Sequence, residues 1–157
     1  MSTGVKSTGV DVDQVVTAVL TASRLLVAVS ARSLASVEET LTLPQFRMLV
    51  VLDSRGELSL SRLAEQLAVN PSTAMRMADR LTTIGVVARR ESEADRRSIR
   101  LTLTDAGRRT VAEVTARRRA EIARIVAAIP TDQRADLVRA LRTFAVAGDE
   151  PPAPEPW

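Results

Sequence analysis

Residues 70–81, Asn-Pro-Ser-Thr-Ala-Met-Arg-Met-Ala-Asp-Arg-Leu, constrain the fold more tightly than any other stretch of this chain. Asn70 is a residue type that caps free backbone N–H groups at a helix start. Pro71 follows at the first helical position, where its missing N–H costs nothing. From there the spacing separates two faces. Ser72, Thr73, Arg76 and Arg80 fall on one side, with Met75 also turned outward; Ala74, Met77, Ala78 and Leu81 fall on the other. By that spacing Ala74, Met77 and Leu81 are core.

The flanking segments supply its neighbours. Ser59 caps a short helical pattern containing Leu60, Leu63, Ala64 and Leu67, and Ala68-Val69 leaves only a tight connection to Asn70. Two short helices joined by such a turn form a helix-turn-helix. Gly85 suits the left-handed residue that closes a helix. Beyond it, residues 86–90 are β-prone, and residues 98–103 alternate, with Ile99, Leu101 and Leu103 on one face and Arg100 and Thr102 on the other. The charged stretch 91–97 joins the two as a hairpin loop. A hairpin attached to the second helix of a helix-turn-helix makes a winged helix.

Longer helices frame this unit. Residues 11–37 repeat Val12, Val15, Val16, Val19, Leu20, Leu26, Leu34 and Val37 at helical spacing, over so wide a face that partners are needed on more than one side. Thr42 and Gln45 form a capping box ahead of a helix burying Phe46, Leu49, Val50 and Leu52, with a turn at Gly56. Thr104 and Asp105 open a long helix through Val111, Val114, Ile122, Ile125, Val126 and Ile129, which Pro130 stops. A last helix follows from Thr131 with Leu137, Val138, Leu141 and Phe144. Residues 1–10 and the proline-rich 148–157 read as disordered ends, and Trp157 as incidental.

Composition narrows the chemistry. With 157 residues this is one domain with extensions, and aromatics make up only 2%, so the core is built from Leu, Val, Ala and Ile. Few aromatic anchors together with long helical patterns favour a core shared between two chains. There is no Cys, His or Tyr, which removes thiol catalysis, thiol redox sensing and the usual zinc and copper ligands. No glycine-rich phosphate loop and no paired carboxylates in a plausible cleft are present, so the chain reads as no enzyme, without cofactor or metal. No uninterrupted apolar run reaches the ~18 residues of a membrane span, and no signal pattern opens the chain; the expectation is a cytoplasmic protein with no membrane contact. Net charge is +3, yet residues 55–109 hold eleven Arg against seven Asp or Glu. Of the 22 basic residues only Lys6 is not arginine. Arginine suits phosphate and guanine, although a codon bias gives the same count.

The order of elements and the fragments Leu-Thr-Leu-Pro-Gln-Phe, Leu-Ala-Glu-Gln-Leu-Ala-Val-Asn-Pro-Ser-Thr, Asp-Arg-Leu, Gly-Val-Val-Ala-Arg, Asp-Arg-Arg and Leu-Thr-Leu-Thr-Asp-Ala-Gly within residues 41–107 resemble the MarR family of bacterial transcription regulators. The resemblance extends over about residues 11–146. It implies a mainly α fold with a small β-hairpin wing: a winged helix-turn-helix at 41–107, flanked by dimerisation helices at 11–40 and 108–147. It further implies a homodimer on a pseudo-palindromic operator in double-stranded DNA, usually a repressor, released by a small aromatic or anionic effector bound between the two regions. The effector's identity and its pocket residues are not legible in the sequence.

The candidate DNA-binding residues follow. Arg76 is the base reader, since arginine can bond guanine O6 and N7 together. Ser72, Thr73 and Arg80 share its face, and Met75 suits a thymine methyl. Ser61 and Arg62, at the start of the first helix of the motif, suit phosphate. By resemblance Arg97 enters the minor groove, Asp95 orients it and Arg96 reaches phosphate; a narrow A·T-rich groove favours a guanidinium. Each of these has a plainer alternative as a solvated polar face or hairpin tip. Glu91 and Glu93 are expected to point away or pair with Arg89 or Arg90. Arg117, Arg118 and Arg119 read as a solvated face or a dimer ion-pair surface, and Phe46 and Phe144 as core. In a dimer the two recognition helices would sit about 34 Å apart, one turn of B-DNA. The competing reading is a winged-helix protein-interaction module without DNA binding.

Overall fold

The computed structural model describes residues 9–152, so the readings for 1–8 and 153–157, Trp157 included, lie outside the described residues. Six helices and three short strands follow in the order α1 (Val12–Ala35), α2 (Leu43–Arg55), β1 (Leu58–Ser59), α3 (Leu60–Leu67), α4 (Pro71–Thr83), β2 (Val87–Glu91), β3 (Ile99–Leu103), α5 (Asp105–Ala127) and α6 (Thr131–Ala147).

Local chemistry sets most of these boundaries. The side-chain oxygens of Thr42, Ser59, Asn70 and Thr104 accept from the backbone N–H three residues on, at the starts of α2, α3, α4 and α5. Each satisfies one donor that a helix start leaves free. Gln45 closes the capping box back onto the Thr42 N–H at 3.0 Å. Gly85 sits at φ +81°, where the chain must leave α4 and turn into the hairpin.

The hairpin is antiparallel, with Val87 opposite Leu103 and Glu91 opposite Ile99. The two-residue β1 joins its far edge, Leu58 opposite Leu101, so the sheet order is β1-β3-β2. Periodicity gave no sign of β1, since two residues carry no period.

One core holds the winged helix together. Met48 and Leu49 of α2, Leu63 of α3, Leu81 of α4, Leu101 of β3 and Val114 of α5 are all fully buried in it. The joint between hairpin and α5 is especially close. Thr104 donates its N–H to the Val86 carbonyl at 3.2 Å and its hydroxyl to the Gly85 carbonyl at 2.7 Å. A Cβ at Gly107 would stand 2.1 Å from the Val86 oxygen, so only glycine lets α5 cross there.

The outer helices leave most of their apolar residues uncovered by this chain. Of α1 only Val29, Ser33 and Leu34 are buried, and α6 buries no residue. Phe144, expected in the core, is 57% exposed, and Val138 and Leu141 stand open beside it. Helical spacing shows which side of a helix is apolar but not whether this chain covers it. α1 also corrects the hydropathy reading: it is long and apolar enough to cross a membrane by length and composition. Its valines, leucines and alanines keep the mean hydropathy high, while Ser and Thr are polar enough to break the apolar run yet lower the mean only a little. It packs on α5 and α2, and Arg32 at its end pairs with Glu121 of α5.

At the other end, residues 148–152 are not simply loose. Glu150 turns back to pair with Arg47 of α2, a contact that the proline-rich composition conceals.

Candidate nucleic-acid interface

α4 stands on the core through Ala74, Met77, Ala78 and Leu81, as its spacing requires. That fixes the opposite face outward: Ser72, Arg76 and Arg80 are exposed, while Thr73 and Met75 are half-buried. The Asn70 side-chain oxygen takes two bonds, from the Thr73 N–H at 2.8 Å and the Ser72 hydroxyl at 2.7 Å. The Ser72 proton is therefore engaged within the cap, and a phosphate would have to compete for it. Arg76 reaches the Thr73 hydroxyl at 3.4 Å, a weak contact that leaves the guanidinium available. Neither Arg76 nor Arg80 forms an ion pair among the described residues.

In the wing, Asp95 accepts the backbone N–H of Arg97 on its side chain at 3.0 Å, and its carbonyl accepts the Ser98 N–H at 2.9 Å. The carboxylate thus shapes the turn through the backbone, not by gripping the Arg97 guanidinium. Arg96 and Arg97 are exposed at the tip and carry no ion pair among the described residues.

At the start of α3, Ser61 and Arg62 are exposed, but Arg62 pairs with Glu65 at 3.0 Å. Its charge is already partly answered, in contrast to the guanidiniums of α4 and the wing tip.

Three ion pairs that the sequence did not disclose brace these parts. Arg89 of β2 bonds Asp79 of α4, and its other nitrogen lies 3.9 Å from the Met75 sulfur. Arg90 holds both Glu57 oxygens at 2.7 Å, and Arg100 approaches the same carboxylate at 3.8 Å. Arg89 and Arg90 therefore do not pair with Glu91 or Glu93. Strand alternation turns these arginines to opposite sides, one toward α4 and one toward the turn before β1. The bond from Arg90 holds the Glu57 carboxyl below its usual range.

The remaining basic run also divides. Arg117 pairs with Glu113 along α5, whereas Arg118 is half-buried with an Nε that has no partner. It lines a mainly apolar hollow of about 330 Å³ between α1, α2 and α5, with Leu26, Val27, Phe46, Arg47 and Val50. No three or more acidic residues stand together as a metal cluster among the described residues.

Comparison with known proteins gives this geometry a family. The MarR family profile matches residues 41–99. The HTH-type transcriptional repressor MdtR of Bacillus subtilis is 36% identical over 96 residues, 61% of this chain and 62% of MdtR, so the match spans less than two thirds of that relative. The HTH-type transcriptional repressor Rv2887 of Mycobacterium tuberculosis is 35% identical over 101 residues, 64% of this chain and 73% of that protein. The crystal structure of RV1404 from Mycobacterium tuberculosis superposes with a TM-score of 0.85 at 47% identity, covering 93% of this chain and 99% of that one. The helix-turn-helix, its hairpin wing and these relatives agree: this chain belongs to the MarR family of winged-helix transcriptional regulators, which are not enzymes.

Proposed function

We propose that this chain acts as a homodimeric, sequence-specific DNA-binding repressor in the cytoplasm, released by a small organic anion. One observation carries the DNA contact: the unpaired guanidiniums of Arg76 and Arg80 on α4 and of Arg96 and Arg97 on the wing are exposed on elements that Asp79 and Arg89 tie together. A helix and an adjoining hairpin presenting arginine suit the major and minor grooves of one duplex. The relatives named as repressors support the direction of regulation.

Dimerisation is supported by the open apolar faces of α1 and α6. Val15, Val16, Leu20, Leu26, Leu141 and Phe144 are all more than two-fifths exposed. Surface of this kind calls for a partner, and a second copy presents the same two helices. The same covering accounts for the hydropathy of α1 without a membrane. Ligand release is supported by the hollow beside Arg118, whose volume is in the range of small-molecule sites and whose two arginines favour an anion.

The test is a DNA-binding series against salt. Affinity for the operator should fall linearly on logarithmic axes as salt rises, through counterion release. Arg76→Ala and Arg97→Ala should each cost about 1–3 kcal/mol, Arg76 at one base position and Arg97 over A·T-rich flanks. A flat salt response, or unchanged binding by both variants, overturns the reading. Sedimentation should show a dimer that Leu20→Glu dissociates.

A further inference from the structure

Arg47 lines two hollows at once. One is the apolar hollow with Phe46, Val50 and Arg118; the other, about 200 Å³, is polar and is bounded by Arg55, Glu65, Gln66 and the returning C-terminal segment. Beyond α6 the chain passes through Gly148 and through Asp149 at φ +55°, and this brings Glu150 against α2. Both carboxylate oxygens of Glu150 then accept from the Arg47 fork, at 2.9 and 2.5 Å. Parallel two-bond geometry of this kind is how a guanidinium recognises any carboxylate. The pairing holds the Glu150 carboxyl below its usual range, and Arg55 adds to this from the same side.

The apolar hollow has no acidic residue in its lining, while Arg47 and Arg118 both border it. The anion nearest to hand for Arg47 is thus one that the chain itself supplies, from the segment following α6. We propose that Glu150 is a built-in competitor for the anion site: a carboxylate-bearing ligand in the apolar hollow takes Arg47 from Glu150 and so frees residues 148–152 from α2. This rests on the ligand-responsive reading above and adds to it a means by which occupancy is felt at the chain's end. The pair is suited to displacement because it is nearly half exposed on both sides. Exposed pairs shift an equilibrium by roughly fivefold at most, so a ligand can outcompete one. While the pair is closed it lowers the apparent affinity for the ligand by the same factor.

The chain has no cysteine, so Pro152→Cys in the full-length protein takes a single nitroxide label whose spectrum reports the mobility of this segment. Benzoate is the carboxylate probe and benzamide its uncharged counterpart. Glu150→Gln should mobilise the label without any ligand and raise benzoate affinity roughly two- to fivefold, with benzamide binding unchanged. In the unsubstituted background, benzoate should mobilise the label and benzamide should not. Arg47→Met should mobilise it as well and reduce the preference for benzoate to what Arg118 alone supports. A label equally immobile with Glu150→Gln overturns the proposal, as does benzoate affinity that is the same with and without Glu150, zero included. DNA binding and release are measured separately with duplex DNA, so failure of the regulator reading and failure of the latch are seen apart.

Discussion

Arg89 on β2 donates to the Asp79 carboxylate on α4, and this pair ties the hairpin to the helix beside it. The two residues lie ten apart, across the turn at Gly85, so the tie spans the joint that sets how helix and wing stand relative to each other. Asp79→Asn removes the negative charge and weakens the tie to at most a neutral hydrogen bond. Fold stability should drop by less than about 1 kcal/mol, as for other exposed pairs. Non-specific DNA affinity should rise slightly, since repulsion of phosphate is lost, while the ratio of operator to non-specific affinity falls roughly two- to fivefold. The exchanged pair, Asp79→Arg with Arg89→Asp, should recover part of that ratio. Competition binding against random duplex measures it.

Gly107→Ala tests the crossing of α5 over the hairpin base. The added Cβ would meet the Val86 carbonyl oxygen at 2.1 Å, and backbone cannot yield as a side-chain end does. Overpacking of this kind costs about 1–3 kcal/mol. Urea denaturation should show the midpoint falling with the slope unchanged.

Ala68 sits at φ +52°, in the turn of the helix-turn-helix, where a Cβ is strained. Ala68→Gly relieves the strain but gives the unfolded chain more freedom. Relief of the strain outweighs that added freedom, so stability should rise by up to about 1 kcal/mol. A thermal melt of the two proteins side by side decides the sign.

The pH response follows from which groups can titrate. No His, Cys or Tyr side chain is present, so stability should be flat from about pH 5 to about pH 10. Below that range, bonded carboxylates decide. Glu150 is held low by the bond from Arg47, Glu57 by Arg90, Asp105 by Arg108 and Glu38 by Thr40. A folded pKa below the unfolded one gives stability that is present above the unfolded value and lost as pH falls through the folded one. The loss should therefore begin near the usual values of 4.5 for Glu and 3.8 for Asp and deepen below them. Chemical denaturation midpoints across this range measure it.

What the sequence disclosed was local. Caps at Thr42, Ser59, Asn70 and Thr104 act within three residues, so side-chain type and position suffice to place them. The inward faces of α4 and β3 were legible for the same reason, since the period itself separates the sides. What stayed hidden depends on distant residues meeting. Arg90 and Glu57 are 33 positions apart, and Arg47 and Glu150 are 103 apart. No pattern in a single chain selects these partners from among 21 arginines. Phe144 failed differently: its period was right, and the surface it turns to the outside is simply not covered by this chain.

The fit at Gly107 has a mechanical consequence. Thr104 bonds both Gly85 and Val86, and α5 crosses with no clearance, so a tilt of the long helix would be passed to the hairpin through that knuckle. A small tilt at the far end of the 23-residue helix would shift the wing tip, with the Asp79–Arg89 tether strained as it moves.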